Sequence, residues 1–158
     1  MVKYEFHALD VPGDGNCFFH CISEYLKLKH NEHVSHIELR DKTCRYMIRH
    51  AANLGRLFKK EEIPITPKDI VNIALAHRAN GFFVDNELIQ HATMACFNIK
   101  LRVYFGDKQS KCWNPCHVRI EDACNLLCEN LHYRLMLVTN NQKTDEDRDN
   151  AKGKVGKT

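Results

Sequence analysis

Asp14-Gly15-Asn16-Cys17 sets a cysteine after a tight turn and directly before an amphipathic stretch, Phe18 to Lys29. Helix amides without intrahelical partners would point at that sulfur, and the helix dipole adds partial positive charge, so the position favours a nucleophilic thiolate. Such a nucleophile needs an imidazole within hydrogen-bond reach, first to take or share the thiol proton and later to protonate a leaving amine. His132, in the strand-like run Leu131-His132-Tyr133, can supply it. Alternate residues of a strand share a face, so His132 is expected to lie with Asn130 and Arg134 while Tyr133 and Leu135 point the other way. The long separation in sequence is usual for a dyad assembled by folding. Cysteine at a helix start and histidine on a strand are also common core residues. The tetrapeptide, its placement and the late His-aromatic pair favour thiol-dependent hydrolysis.

The elements that must hold these residues are readable from periodicity and punctuation. Cys21, Ile22, Tyr25 and Leu26 give the first helix one apolar face. Ser35 and Glu38 have capping-box spacing, and Ile37, Cys44, Met47, Ile48, Ala51 and Leu54 predict a second helix ended by Gly55. Lys59 to Glu62 reads as a solvated linker. Thr66-Pro67 opens a third helix with Ile70, Ile73, Ala74 and His77 inward. Asp85 or Asn86 opens a fourth through Phe97, with Leu88, Ile89, Ala92 and Ala95 on its apolar face. Ile99 to Phe105 alternates as a half-buried strand, Gly106 to Pro115 reads as a loop, and short strands are expected near Val118–Ile120 and Asn125–Cys128. Leu131 to Val138, apolar on both faces, predicts an interior strand. The fold class is therefore α/β (α+β), with a domain over residues 1–138 and a polar, disordered tail or linker over 139–158.

The 158 residues are 44% hydrophobic and 27% charged with a net charge of +3, values of one globular domain with both signs interspersed. No basic stripe points to nucleic acid, and no apolar run reaches the ~20 residues of a membrane span. The chain begins Met1-Val2-Lys3-Tyr4-Glu5 without an apolar leader, so its eight cysteines are expected to be reduced, in the cytosol. A monomer without cofactor is the expectation.

Val11-Pro12-Gly13-Asp14-Gly15-Asn16-Cys17-Phe18-Phe19-His20 resembles the nucleophile motif of the OTU (ovarian tumour) family of deubiquitinating cysteine proteases. His132-Tyr133 resembles the family's late histidine and aromatic pair, and Gly81-Phe82-Phe83-Val84-Asp85-Asn86-Glu87-Leu88-Ile89 is similar to its glycine and aromatic stretch leading into a Glu-Leu helix. The resemblance runs from about Val11 to Val138. It implies a papain-like fold with a small mixed sheet packed between helices. It also implies a ubiquitin or ubiquitin-like partner, with cleavage after the modifier's terminal glycine and Cys17 and His132 as the catalytic pair. Many members place Asp or Asn two residues after the histidine, whereas this chain has Arg134, which cannot accept a proton from imidazole. Asp14 is the first candidate to replace that orienting group, either directly or by shaping the oxyanion loop, with Asn130 and Asp10 as alternatives. Gly15 and Asn16 would form the oxyanion loop with Cys17, and Phe82, Phe83 and Tyr133 are candidate channel residues. The substrate channel would be narrow enough to reject side chains.

Two other readings attach to particular residues. Arg134 could signal a catalytically weak ubiquitin-binding module, while compact size and a polar tail fit a viral-type polyprotein protease, acting in a host cytosol. Cys112, Cys116, Cys124 and Cys128 with His117 resemble a zinc site, but buried free thiols are the expectation and no metal is assigned. His30, His33 and His36 read as loop and helix-surface residues.

Overall fold

The computed structural model describes residues 4–57, 59–60, 63–106 and 108–140. Strand β1 (Tyr4–Leu9) leads through a loop to helix α1 (Cys17–His30), then α2 (His36–Arg49) and α3 (Ala51–Leu57). Two-residue strands β2 (Lys59–Lys60) and β3 (Ile63–Pro64) precede α4 (Pro67–His77) and α5 (Glu87–Phe97). Strands β4 (Leu101–Phe105), β5 (Lys108–Trp113), β6 (Cys124–Glu129) and β7 (His132–Asn140) complete the described chain, with a 3₁₀ turn at Ile120–Asp122.

Side-chain caps begin three of the helices where the sequence places them. Ser35 accepts from the Glu38 amide, Thr66 and Asp69 cap each other's backbone with Pro67 in the first turn, and Asn86 accepts from the Leu88 amide. Each satisfies an amide that the helix itself cannot. The predicted second helix is instead two. His50 takes φ −109° and ψ 23° and interrupts it, and Gly55 lies inside α3 rather than ending it. A Cβ on Gly55 would stand 2.8 Å from the Ile65 carbonyl oxygen, so the glycine permits a close approach. The buried face of α2 is also rotated from the expected one. Leu39, Arg40, Thr43, Cys44 and Met47 are inside, while Ile37 and Ile48 are exposed. Ala95 of α5 is exposed as well.

The main sheet has the order β1-β7-β6-β4-β5, with β4 and β6 parallel and every other neighbouring pair antiparallel. Strand β7 is interior, as its apolar faces require. Strand β1 escaped the sequence reading because it is an edge whose middle residues are exposed, and β5 because its sequence is mostly polar. Val118 does not enter a strand: the Asn114 side chain binds both its amide and its carbonyl, and the 3₁₀ turn follows. Glu61, Glu62 and the tail from residue 141 lie outside the described residues, while β7 itself reaches Asn140.

The core joins α1 to one face of the sheet, with Phe18, Cys21, Ile22 and Leu26 against Leu101, Val103, Leu126, Tyr133 and Leu135. Tyr133 is its aromatic centre, edge-on to Phe18 at 5.2 Å and stacked on Phe83 at 5.3 Å. Its hydroxyl donates to the Val84 carbonyl at 2.7 Å and accepts from Gln90 at 3.0 Å, while the ring is 2% exposed. Tyr133→Phe leaves both partners buried and unsatisfied, and an expected loss of about 1–3 kcal/mol is measurable by urea denaturation.

Candidate active site

Cys17 is the first residue of α1 and is 1% exposed. Its sulfur accepts the Tyr133 amide N–H at 3.4 Å, so the residue after His132 holds the nucleophile from β7. Cys21, one turn along, donates to the Tyr133 carbonyl at 3.5 Å, and burial pushes its thiol well up. The backbone of one residue thus binds two thiols of the same helix, donating to one and accepting from the other. Cys44 is likewise pushed up by burial, to about 11, and Cys124 is raised by its complete burial. These are core thiols.

His132 begins β7, and its Nε2 stands 2.9 Å from Asp10 Oδ1. Asp10 follows the last residue of β1, where Leu9 pairs with Leu135, and this antiparallel register brings its carboxylate to His132 and Arg134. Arg134 Nε lies 3.4 Å from the same Asp10 oxygen. The His132 hydrogen bond, followed by the Arg134 and His132 charges, holds the Asp10 carboxyl below its ordinary range against opposing desolvation. Asp10 therefore stays ionised through neutral pH, and its charge is lost only as pH falls through that lowered value. An ionised acceptor fixes the proton on Nε2 and leaves the Nδ1 lone pair for the thiol. Nδ1 lies on the nucleophile-loop side, 3.5 Å from where a Gly13 Cβ would stand.

This corrects the assignment of the orienting group. Asp14 accepts from the Asn16 amide at 3.1 Å and lies 3.7 Å from His20 Nε2, so it shapes the loop while Asp10 holds the imidazole. Asn130 and Leu131 have φ of 52° and 57° and form the two-residue turn between β6 and β7. The alternation that would have put Asn130 beside His132 therefore stops at the turn. Arg134 occupies the position expected of an orienter and instead holds the carboxylate that does that work. Asp10→Ala should lower kcat/KM roughly 100-fold, the lower end of what general acid–base catalysis contributes, with the fold retained by circular dichroism.

The loop before Cys17 is shaped by Asn16 and glycine. Gly15 has φ +82° and packs on Gly81, which also has φ +82°. Asn16 is 5% exposed, and its Oδ1 accepts from the Gly81 amide at 2.8 Å and from Arg40 at 3.0 Å. Its own amide is taken by Asp14, so Asn16 contributes to the loop through its side chain. Asn16 is also the N-cap of α1, yet makes no side-chain cap. The amides of the first turn are thereby left without that competitor.

Among the channel candidates, Phe82 is 40% exposed and sits on the His77 ring, while Phe83 stacks on Tyr133. Tyr133, at 2% exposed, is a core residue. Among the described residues no group of three or more His, Cys, Asp or Glu could hold a metal ion. Cys124 and Cys128 are four residues apart along β6, roughly 13 Å of strand, too far to share one ion. His36, the first residue of α2, is half-buried: its ring meets His20 at 4.1 Å, and burial followed by the His20 charge holds its pKa low. The sequence reading does not single out Arg40, which is 4% exposed. Its signal was a charge at the i, i+4, i+7 spacing shared with the buried Cys44 and Met47.

The model of the OTU-like cysteine proteases matches residues 12–132. This chain belongs to that family. It is 26% identical over 142 residues to ubiquitin thioesterase otu2 of Schizosaccharomyces pombe, covering 85% of this chain and 46% of the relative. The chain thus spans about half the length of that curated relative. The OTU deubiquitinase from Wolbachia pipientis wMel, solved bound to ubiquitin, has a TM-score of 0.61 at 15% identity over 84% of this chain and 95% of its own. The Hazara virus OTU, also bound to ubiquitin, has a TM-score of 0.60 at 13% identity over 87% of this chain and 89% of its own. The OTU fold is shared across these distant sequences.

Proposed function

We propose that this chain is a cysteine-dependent deubiquitinase that hydrolyses the isopeptide or peptide bond after the C-terminal glycine of ubiquitin or a ubiquitin-like modifier. The observation that carries the reading is the Asp10–His132 pair, which fixes Nε2–H and turns Nδ1 toward the loop that holds Cys17. Nδ1 takes the thiol proton, and the sulfur attacks the glycine carbonyl. The oxyanion is received by free amides at the start of α1, and collapse breaks the C–N bond while Nδ1–H protonates the leaving amine. Water, deprotonated by Nδ1, then attacks the thioester, releases the glycine carboxylate and returns the proton to sulfur.

The ubiquitin-thioesterase relative and the two ubiquitin-bound neighbours support the substrate, as does a nucleophile 1% exposed, which favours a chain end without side chains. Arg134 was the ground for a catalytically weak ubiquitin-binding module, and its pairing with Asp10 beside His132 favours the hydrolase instead. We place the enzyme in the cytosol as a monomer acting within ubiquitin conjugation, on protein rather than nucleic acid or membrane. The eight cysteines, none in a disulfide, favour a reducing compartment. Among the described residues no helix is long and apolar enough to cross a membrane.

The test is incubation with ubiquitin carrying a C-terminal electrophile. The expected product is a one-to-one covalent adduct that peptide mapping assigns to Cys17. A folded protein that forms no adduct with ubiquitin or ubiquitin-like probes would overturn the reading.

A further inference from the structure

Arg40 projects from α2 into the junction between the nucleophile loop and the Arg78–Phe82 segment and is 4% exposed. Its Nη1 donates to the His77 carbonyl at 2.6 Å. Its Nη2 is within hydrogen-bond distance of the Gly15 carbonyl at 3.2 Å, Asn16 Oδ1 at 3.0 Å and the Phe82 carbonyl at 3.0 Å. The guanidinium also lies 4.8 Å from the centre of the Phe19 ring. All four acceptors are neutral oxygens, two on the nucleophile loop, one at the end of α4 and one on Phe82 beyond Gly81. A buried cation is costly to desolvate, so this placement is not explained by helix stability.

The consequence falls on Asn16. Asparagine is among the preferred N-cap residues, and a free Asn16 side chain would swing onto the Phe18 or Phe19 amide. Arg40 and the Gly81 amide hold its oxygen away.

We infer that Arg40 is a positioning residue that keeps α1 uncapped, holding the Asn16 side chain off the first-turn amides that receive the oxyanion. The catalytic part of this inference rests on the hydrolase reading above; the uncapping can be read without it.

Amide hydrogen exchange in the wild type, Arg40→Met and Arg40→Lys provides that reading. If Arg40 restrains Asn16, exchange at Phe18 or Phe19 slows about fivefold in Arg40→Met, the size of a side-chain cap. Arg40→Lys, able to keep one bond, falls between. A purely structural role would instead speed exchange throughout this segment, and unchanged or faster exchange overturns the proposal. The matching kinetic result is a fall in kcat of tenfold or more on a ubiquitin C-terminal ester, with KM and the rate of Cys17 alkylation by iodoacetamide within threefold, because alkylation forms no oxyanion. Adding Asn16→Gly to Arg40→Met should recover part of the lost kcat, since the competing cap is gone. A further additive loss in that double variant overturns the proposal. A wild type inactive on ubiquitin esters but showing the exchange pattern would overturn the substrate reading while supporting the role of Arg40.

Discussion

Replacing His132 with alanine is expected to lower kcat/KM for a ubiquitin C-terminal ester by on the order of 10⁴-fold or more, the range seen when one member of a nucleophile–base unit is removed. The loss has two parts. Without Nδ1 nothing takes the thiol proton, so acylation slows; without Nδ1–H nothing protonates a leaving amine, so isopeptide substrates suffer more than esters with good leaving groups. Iodoacetamide alkylation of Cys17 separates these parts, because it needs the thiolate but no leaving-group acid. The Tyr133 amide still donates to the sulfur in His132→Ala, so residual alkylation should exceed residual isopeptide hydrolysis. Equal losses on both measures would show that His132 acts on the nucleophile alone. Asp10 and Arg134 remain paired in the variant, so its melting temperature should change little.

Gly15→Ala should have the largest effect on stability. Its Cβ would stand 1.9 Å from the Gly81 carbonyl oxygen and 2.7 Å from the Gly81 carbonyl carbon, both backbone atoms, so no side-chain rotation relieves the overlap. The φ of +82° adds left-handed strain for any residue with a Cβ. Together these cost about 2–5 kcal/mol, equivalent to a fall in Tm of roughly 5–20 °C for a chain of this size. A thermal melt checks it. The shift must also disturb the Arg40–Gly15 and Asn16–Gly81 bonds, so activity falls even in the fraction that remains folded. A stable and fully active Gly15→Ala protein would show that the two loops do not meet as described.

The parts of this fold that were legible in the sequence are those written in local chemistry. Ser35, Thr66 and Asn86 announce their helices because a cap acts within three residues, and the apolar Leu131–Val138 run announces an interior strand. Cys17 and His132 were legible because a turn before a helix and a His-aromatic pair have recognisable forms. Asp10 could be named as a candidate but not preferred over Asp14. Its role depends on β1 pairing with β7, a contact between residues 122 apart. Asn130 misled because a turn in the left-handed region cancels strand alternation and leaves no mark in hydropathy. Arg40 was hidden by its type, since a lysine or arginine on a helix reads as solvated. Only the carbonyls converging from three other segments show why it is buried.

The order β1-β7-β6 also sets when during synthesis the proposed hydrolytic site can form. Strand β7 is the last described element, and it enters between two strands made earlier. Asp10 and Cys17 emerge early, yet the stretch to His132 takes roughly 6–25 s of translation at typical rates. Until it arrives, β1 lacks the neighbour with which it pairs in the finished sheet, and the thiol lacks both its base and the Tyr133 amide. A nascent or prematurely terminated chain therefore carries a complete nucleophile motif without hydrolytic power. Closing the sheet and completing the proposed active site are one event.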